Sequence, residues 1–123
     1  MDFQEQHIRD ALRQSWSRET AVQWTVENPA LGQCNVTAAV IFDLFGGKVL
    51  RTKLDDIWHY YNQIGGVRVD LTDSQFSAPG SLFNAPETYQ DDVSSASEAM
   101  NGIPQREYVA LKNALLSNLS SAS

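Results

Sequence analysis

Residues 57–64, IWHYYNQI, and 67–72, VRVDLT, are two β-prone runs divided by Gly65-Gly66. A glycine pair supplies the positive φ values of a tight turn, so 57–72 is predicted to form a β-hairpin. A two-residue loop also fixes the register: Ile64 lies opposite Val67, Tyr61 opposite Asp70, and His59 opposite Thr72. Side chains alternate between faces, so His59, Tyr61, Arg68, Asp70 and Thr72 share one face. Trp58, Tyr60, Ile64, Val67, Val69 and Leu71 share the other. The apolar set goes to one layer and the titratable set to the opposite one. A three-residue loop at Gly65-Gly66-Val67 would instead pair Ile64 with Arg68 and turn Asp70 away from His59.

Around this hairpin the chain reads as α+β. Phe3, Ile8, Leu12 and Trp16 recur at roughly helical spacing, which predicts an amphipathic helix over 3–16. Residues 20–26 read as a short helix stopped by Asn28-Pro29, and 28–33 as a loop. Val36, Val40 and Leu44, with Ile41 and Phe45, predict a buried helix over 34–45 that ends at Gly46-Gly47. A strand over 48–52 and an acidic turn at Asp55-Asp56 lead into the hairpin. Residues 73–102 turn to Ser, Asp, Asn, Gly and Pro, which predicts loop with a short helix near 91–99. Pro104 opens a last helix carrying Tyr108, Leu111, Leu115 and Leu119, and residues 1–2 and 119–123 are expected to fray.

The 123 residues, 42% of them hydrophobic, suit one domain spanning 1–123. A net charge of −6 lacks the positive field that phosphates require, so nucleic acid is not an expected partner. No apolar run approaches the ~20 residues of a membrane span, and residues 1–16 carry early acids and no apolar signal core, so a cytoplasmic location is expected. One cysteine excludes an intramolecular disulfide and any multi-cysteine metal site. No dedicated ligand spacing accompanies it, so neither metal nor other cofactor is expected.

That cysteine, Cys34, falls in the first turn of the 34–45 helix, where unsatisfied N–H groups and the dipole favour a thiolate. Gly32 lets the backbone turn sharply just before it. His59 and Asp70 are diagonal neighbours across the hairpin, within reach of an imidazole-carboxylate hydrogen bond. Cys34, His59 and Asp70 therefore read as nucleophile, base and orienting acid. Each residue also has a plainer reading. Cys34 suits a small buried hydrophobe, His59 a surface or core-satisfied imidazole, and Asp70 a carboxylate capping the following turn. Arg68 is placed to pair with Asp70 and withdraw it from His59. His7 reads as a surface residue, Trp16 and Trp24 as core, and Asp55-Asp56 and Asp91-Asp92 as solvated turns.

The segments Ser15-Trp16-Ser17, Asn28-Pro29, Gly32-Gln33-Cys34 with Thr37-Ala38, His59-Tyr60-Tyr61-Asn62 and Asp70-Leu71-Thr72 resemble the YunG-like family of small bacterial proteins over about residues 12–116. The order of cysteine helix, histidine strand and aspartate strand is also similar to the papain-like and transglutaminase-like core, a Cys-bearing helix packed on a small antiparallel sheet. That resemblance implies acyl transfer through a thioester on a peptide or small amide or ester, with Cys34 as nucleophile, His59 as general base and Asp70 as orienter. Candidates for the oxyanion or substrate-binding groups are Gln33, Trp24 and Asn62, with Gln14 and Gln23 as further upstream glutamines. The alternative is a non-enzymatic binding or accessory domain that keeps this core and holds a peptide or small ligand.

Overall fold

The computed structural model of the chain describes residues 2–121. Its first helix, α1, spans Glu5–Ser15 and turns Ile8, Ala11, Leu12 and Ser15 inward. The next, α2, spans Cys34–Phe45 and buries Val36 to Ile41 without a break, as expected of a central helix surrounded by other elements. Strands β1, Lys48–Leu54, β2, Ile57–Ile64, β3, Val67–Val69, and β4, Asp92–Val93, form one antiparallel sheet in the order β3-β2-β1-β4. A four-residue helix, α3, spans Ala96–Ala99, and α4 spans Gln105–Ser121. The fold is therefore mixed α+β. Among the described residues no helix is long and apolar enough to cross a membrane.

The hairpin has the register read from its glycine pair: Ile64 faces Val67, Gln63 faces Arg68 and Asn62 faces Val69. One face of the sheet meets α2, where the Asn62 side-chain amide donates to the Ala38 carbonyl at 3.0 Å. Val69 and Leu71 join Ile8, Leu12, Trp16, Val36, Val40, Ile41, Leu111 and Leu115 in the principal core. Ala38, Val49, Tyr60 and Ala99 form a second apolar cluster. The opposite face carries His59 and Tyr61 and is covered by the segment 72–91 through Phe76 and Tyr89.

Four readings change. Residues 20–26 form separate turns, closed by Thr20 N–H to the Ser17 carbonyl and Trp24 N–H to the Ala21 carbonyl. Val22 and Val26 are 77% and 74% exposed, so a helix here would have no apolar face to pack against the core. The third strand ends at Val69 rather than at residue 72, because the Asp70 side chain accepts from the Thr72 N–H and starts a 3-10 turn over Asp73–Phe76. Asp91 and Asp92 are not free solvated acids: they pair with Arg68 and Arg51. Finally, α4 continues to Ser121, past the expected start of fraying; residues 1, 122 and 123 lie outside the described residues.

Two glycines join α2 to the sheet. Gly46, at φ 78°, closes the helix through its N–H to the Phe42 carbonyl at 2.8 Å. Gly47, at φ 75°, brings the chain so close to β2 that a Cβ there would lie 2.0 Å from the Gln63 carbonyl oxygen, whereas a Cβ at Gly46 would meet nothing within 4 Å. Gly46→Ala should therefore cost about 1 kcal/mol for backbone strain alone. Gly47→Ala should cost roughly 2–4 kcal/mol, because overpacking against backbone is added. Urea denaturation of both variants checks the order, and equal losses would contradict it.

Candidate active site

Cys34 is the first residue of α2, and Gly32 two positions earlier takes φ 75° to make the turn into it. The residue before the helix, Gln33, does not cap it. The Gln33 side chain is instead fully buried, its Oε1 accepting from Thr20 Oγ1 at 2.8 Å and its Nε2 donating to the Ser17 carbonyl at 3.5 Å. This leaves the first N–H groups of α2 without a side-chain acceptor among the described residues.

The registered hairpin brings His59 and Asp70 together as their diagonal placement requires. His59 Nε2 lies 2.7 Å from Asp70 Oδ2, with His59 2% and Asp70 8% exposed. Asp70 is held from several sides. Its Oδ2 also accepts from the Tyr89 hydroxyl at 2.7 Å, and its Oδ1 accepts from the Thr72 N–H and hydroxyl at 3.3 and 3.4 Å. Arg68 does not compete for it: the guanidinium pairs through two nitrogens with Asp91, at 2.7 and 2.6 Å. Asp70 therefore both caps the following turn and orients the imidazole.

With Nε2 committed to Asp70, Nδ1 is the ring nitrogen left for Cys34, which lines the same cavity as His59. Burial pulls the His59 pKa down most strongly. The hydrogen bond and charge of Asp70, with the neighbouring Cys34, together outweigh it and lift the value to about 9. The imidazole packs edge-on against Phe76, ring centroids 5.0 Å apart, and beside Tyr61 at 5.9 Å. Cys34 Sγ donates to Asn35 Oδ1 at 3.3 Å, and Asn35 is itself anchored by donating to the Ala99 carbonyl at 2.7 Å.

Cys34 and His59 open onto one cavity of about 360 Å³, which Gln23, Asn35 and Gln75 also line. Gln23 packs across Gly32, where a Cβ would lie 2.2 Å from its Oε1. Of the other oxyanion candidates, Asn62 is committed to Ala38 within the core, and Gln33 to Thr20 and Ser17. Trp24 packs against the principal core, and its Nε1 is buried with no hydrogen-bond partner among the described residues. Tyr89, Phe76 and Asn35 were not among the residues read from the sequence as site-forming. Tyr89 and Phe76 come from the irregular segment 72–91, where no periodicity predicts a side chain's direction. Among the described residues no group of three His, Cys, Asp or Glu is placed to hold a metal ion.

The family model described as YunG protein matches residues 4–120. A protein of Bacillus subtilis (strain 168), described as uncharacterized protein YunG, is 42% identical over 118 residues, which is 96% of each chain. The chain belongs to the YunG family. No solved structure matches it.

The raised pKa of His59 links the site to stability. Its ordinary value of 6.5 rises to about 9 on folding, so its stabilisation is fully present below about pH 6.5 and lost as pH rises through about 9. The loss should approach roughly 3 kcal/mol, the equivalent of a shift from 6.5 to about 9 in a side chain that is 2% exposed. Equilibrium urea denaturation of the wild type and His59→Gln at several pH values measures it. The stability difference between them should shrink across that window, and a difference independent of pH would contradict the account.

Proposed function

We propose that this member of the YunG family is a cysteine-dependent acyl-transfer enzyme, a peptidase, amidase, deamidase or transglutaminase-like protein. It uses a papain-like or transglutaminase-like core with Cys34, His59 and Asp70 as its triad. One observation carries the reading: a buried His59–Asp70 pair leaves one imidazole nitrogen for a thiol at a helix start, beside a cavity. The chain order, with Cys34 opening α2, His59 on β2 and Asp70 just past the end of β3, supports the core assignment. We place the activity in the cytoplasm, on a peptide or a small amide or ester.

The chemistry follows from these roles. The Cys34 thiolate gives an electron pair to the substrate carbonyl carbon, a C–S bond forms, and the π pair moves onto oxygen. That oxygen is met by the Cys34 N–H and by the side-chain amide of Gln23, which lines the cavity and takes the part of the upstream glutamine of papain-like enzymes. Collapse of the adduct breaks the C–N or C–O bond, and the His59 imidazolium gives its proton to the departing amine or alcohol. Water, losing a proton to His59, then adds to the thioester. The C–S bond breaks, an acid is released, and thiolate and imidazolium are restored. An amine in place of water gives transfer. Asp70 holds the ring and supports its positive charge throughout.

A second reading, a binding module, draws on the Cys34 Sγ to Asn35 Oδ1 contact, which occupies the thiol as a donor. Iodoacetamide separates the two. With the imidazolium persisting to about pH 9 beside the sulfur, alkylation of Cys34 should stay fast near pH 6. His59→Ala should slow it roughly tenfold or more at pH 6 and much less at pH 9, and Asp70→Asn should shift it less in the same direction. Alkylation that is slow at every pH until the protein unfolds, with no dependence on His59, would overturn the enzyme reading.

A further inference from the structure

The triad's proton chemistry uses Cys34, His59 and Asp70, yet most of the cavity beside them is apolar. Leu31, Trp58, Phe76, Leu82, Phe83 and Ile103 form its walls, drawn from the approach to α2, from β2, from the covering segment and from the approach to α4. No Lys, Arg, Asp or Glu lines it among the described residues, although such residues make up 20% of the chain. Lys53, Asp55 and Glu87 gather in an adjacent depression instead. Away from the Cys34–His59 end, a charged group entering the cavity would shed water without gaining an ionic partner, whereas an aliphatic or aromatic one would exchange water for apolar contacts. The volume of about 360 Å³ is near the small end of ligand sites, which begin at about 300 Å³. It suits one side chain and the carbonyl attached to it. Leu82 and Ile57, 58% and 45% exposed, continue the apolar surface to the rim.

We propose that this cavity selects the acyl side of the substrate and takes an uncharged acyl group whose side chain is aliphatic or aromatic, of leucine to phenylalanine size. The inference rests on the acyl-transfer reading, because it requires the reacting carbonyl to sit at Cys34. The Gln23 and Asn35 carboxamides at the Cys34 end supply hydrogen-bonding groups for the amide that carries such a side chain.

The test uses N-acetyl leucyl, phenylalanyl, aspartyl and lysyl chloromethyl ketones on the full chain. In each the sulfur displaces chloride, forming a C–S bond whose mass is read on the single cysteine, with Cys34→Ser as the blank. Every rate is divided by the iodoacetamide rate of the same protein, which removes differences in thiol reactivity. The leucyl and phenylalanyl probes should react at least roughly tenfold faster than the charged pair. Leu82→Lys, at an exposed rim position that does not hold the fold, should slow the leucyl probe, speed the aspartyl probe and narrow the ratio. Equal normalised rates, or a charged probe reacting fastest, would overturn the pocket while His59-dependent iodoacetamide labelling left the nucleophile standing. Loss of that His59 dependence would overturn the nucleophile, and the pocket with it.

Discussion

A carboxylate taken out of water is stable only when its oxygens find donors, and Asp70 is the place where this protein meets that demand. Its two side-chain oxygens accept from His59, Tyr89 and Thr72, and its backbone carbonyl accepts from Arg9 of α1. The residue thereby ties the end of β3 to β2, to the covering segment and to the first helix. Removing His59 leaves a buried negative charge short of a partner, whereas removing Asp70 takes away the hydrogen bond that sets the direction of the His59 ring. The same bonds that solve a stability problem orient His59 toward Cys34.

Arg68 and Asp91 protect that arrangement. Arg68 lies next to Asp70 on the hairpin and would be a natural partner for it, but Asp91 takes the guanidinium through two hydrogen bonds. Tyr61 adds its hydroxyl to Asp91 at 2.9 Å and receives the Asp91 N–H at 2.8 Å, which holds the acid at φ 53° in place. Arg68 also lies over the Tyr89 ring, 4.7 Å from its centre, so the residue that supports Asp70 is held by the one that is kept from it. Separate acids for separate cations keep His59 and Asp70 together.

Much of this is legible in the amino-acid sequence. The glycine pair set the register, and the register placed His59 and Asp70 on one face, because a short loop leaves only one parity of pairing. The α2 boundaries at Cys34 and Phe45 followed from i, i+4 apolar spacing and the glycine stop. Local regularity carries such information, and long-range closure does not. Tyr89 reaches Asp70 across nineteen positions from a segment without period, and Asp91 reaches Arg68 across twenty-three. Residues 20–26 differ for the opposite reason: the stop at Asn28-Pro29 suggests a helix before it, but Val22 and Val26 face solvent. Gln33 is adjacent to the cysteine in sequence, yet its side chain secures the preceding turn, and Gln23 and Gln75 are the glutamines that line the cavity.

The central claim is that Cys34, His59 and Asp70 interact as one unit, and the His59 imidazole reports on both neighbours. Its titration, followed by NMR of the ring in the wild type, Cys34→Ser and Asp70→Asn, is the most direct test. The account predicts a midpoint near pH 9 in the wild type, lowered by either substitution, with Asp70→Asn the larger change. A midpoint near the ordinary 6.5, unmoved by Cys34→Ser, would contradict it.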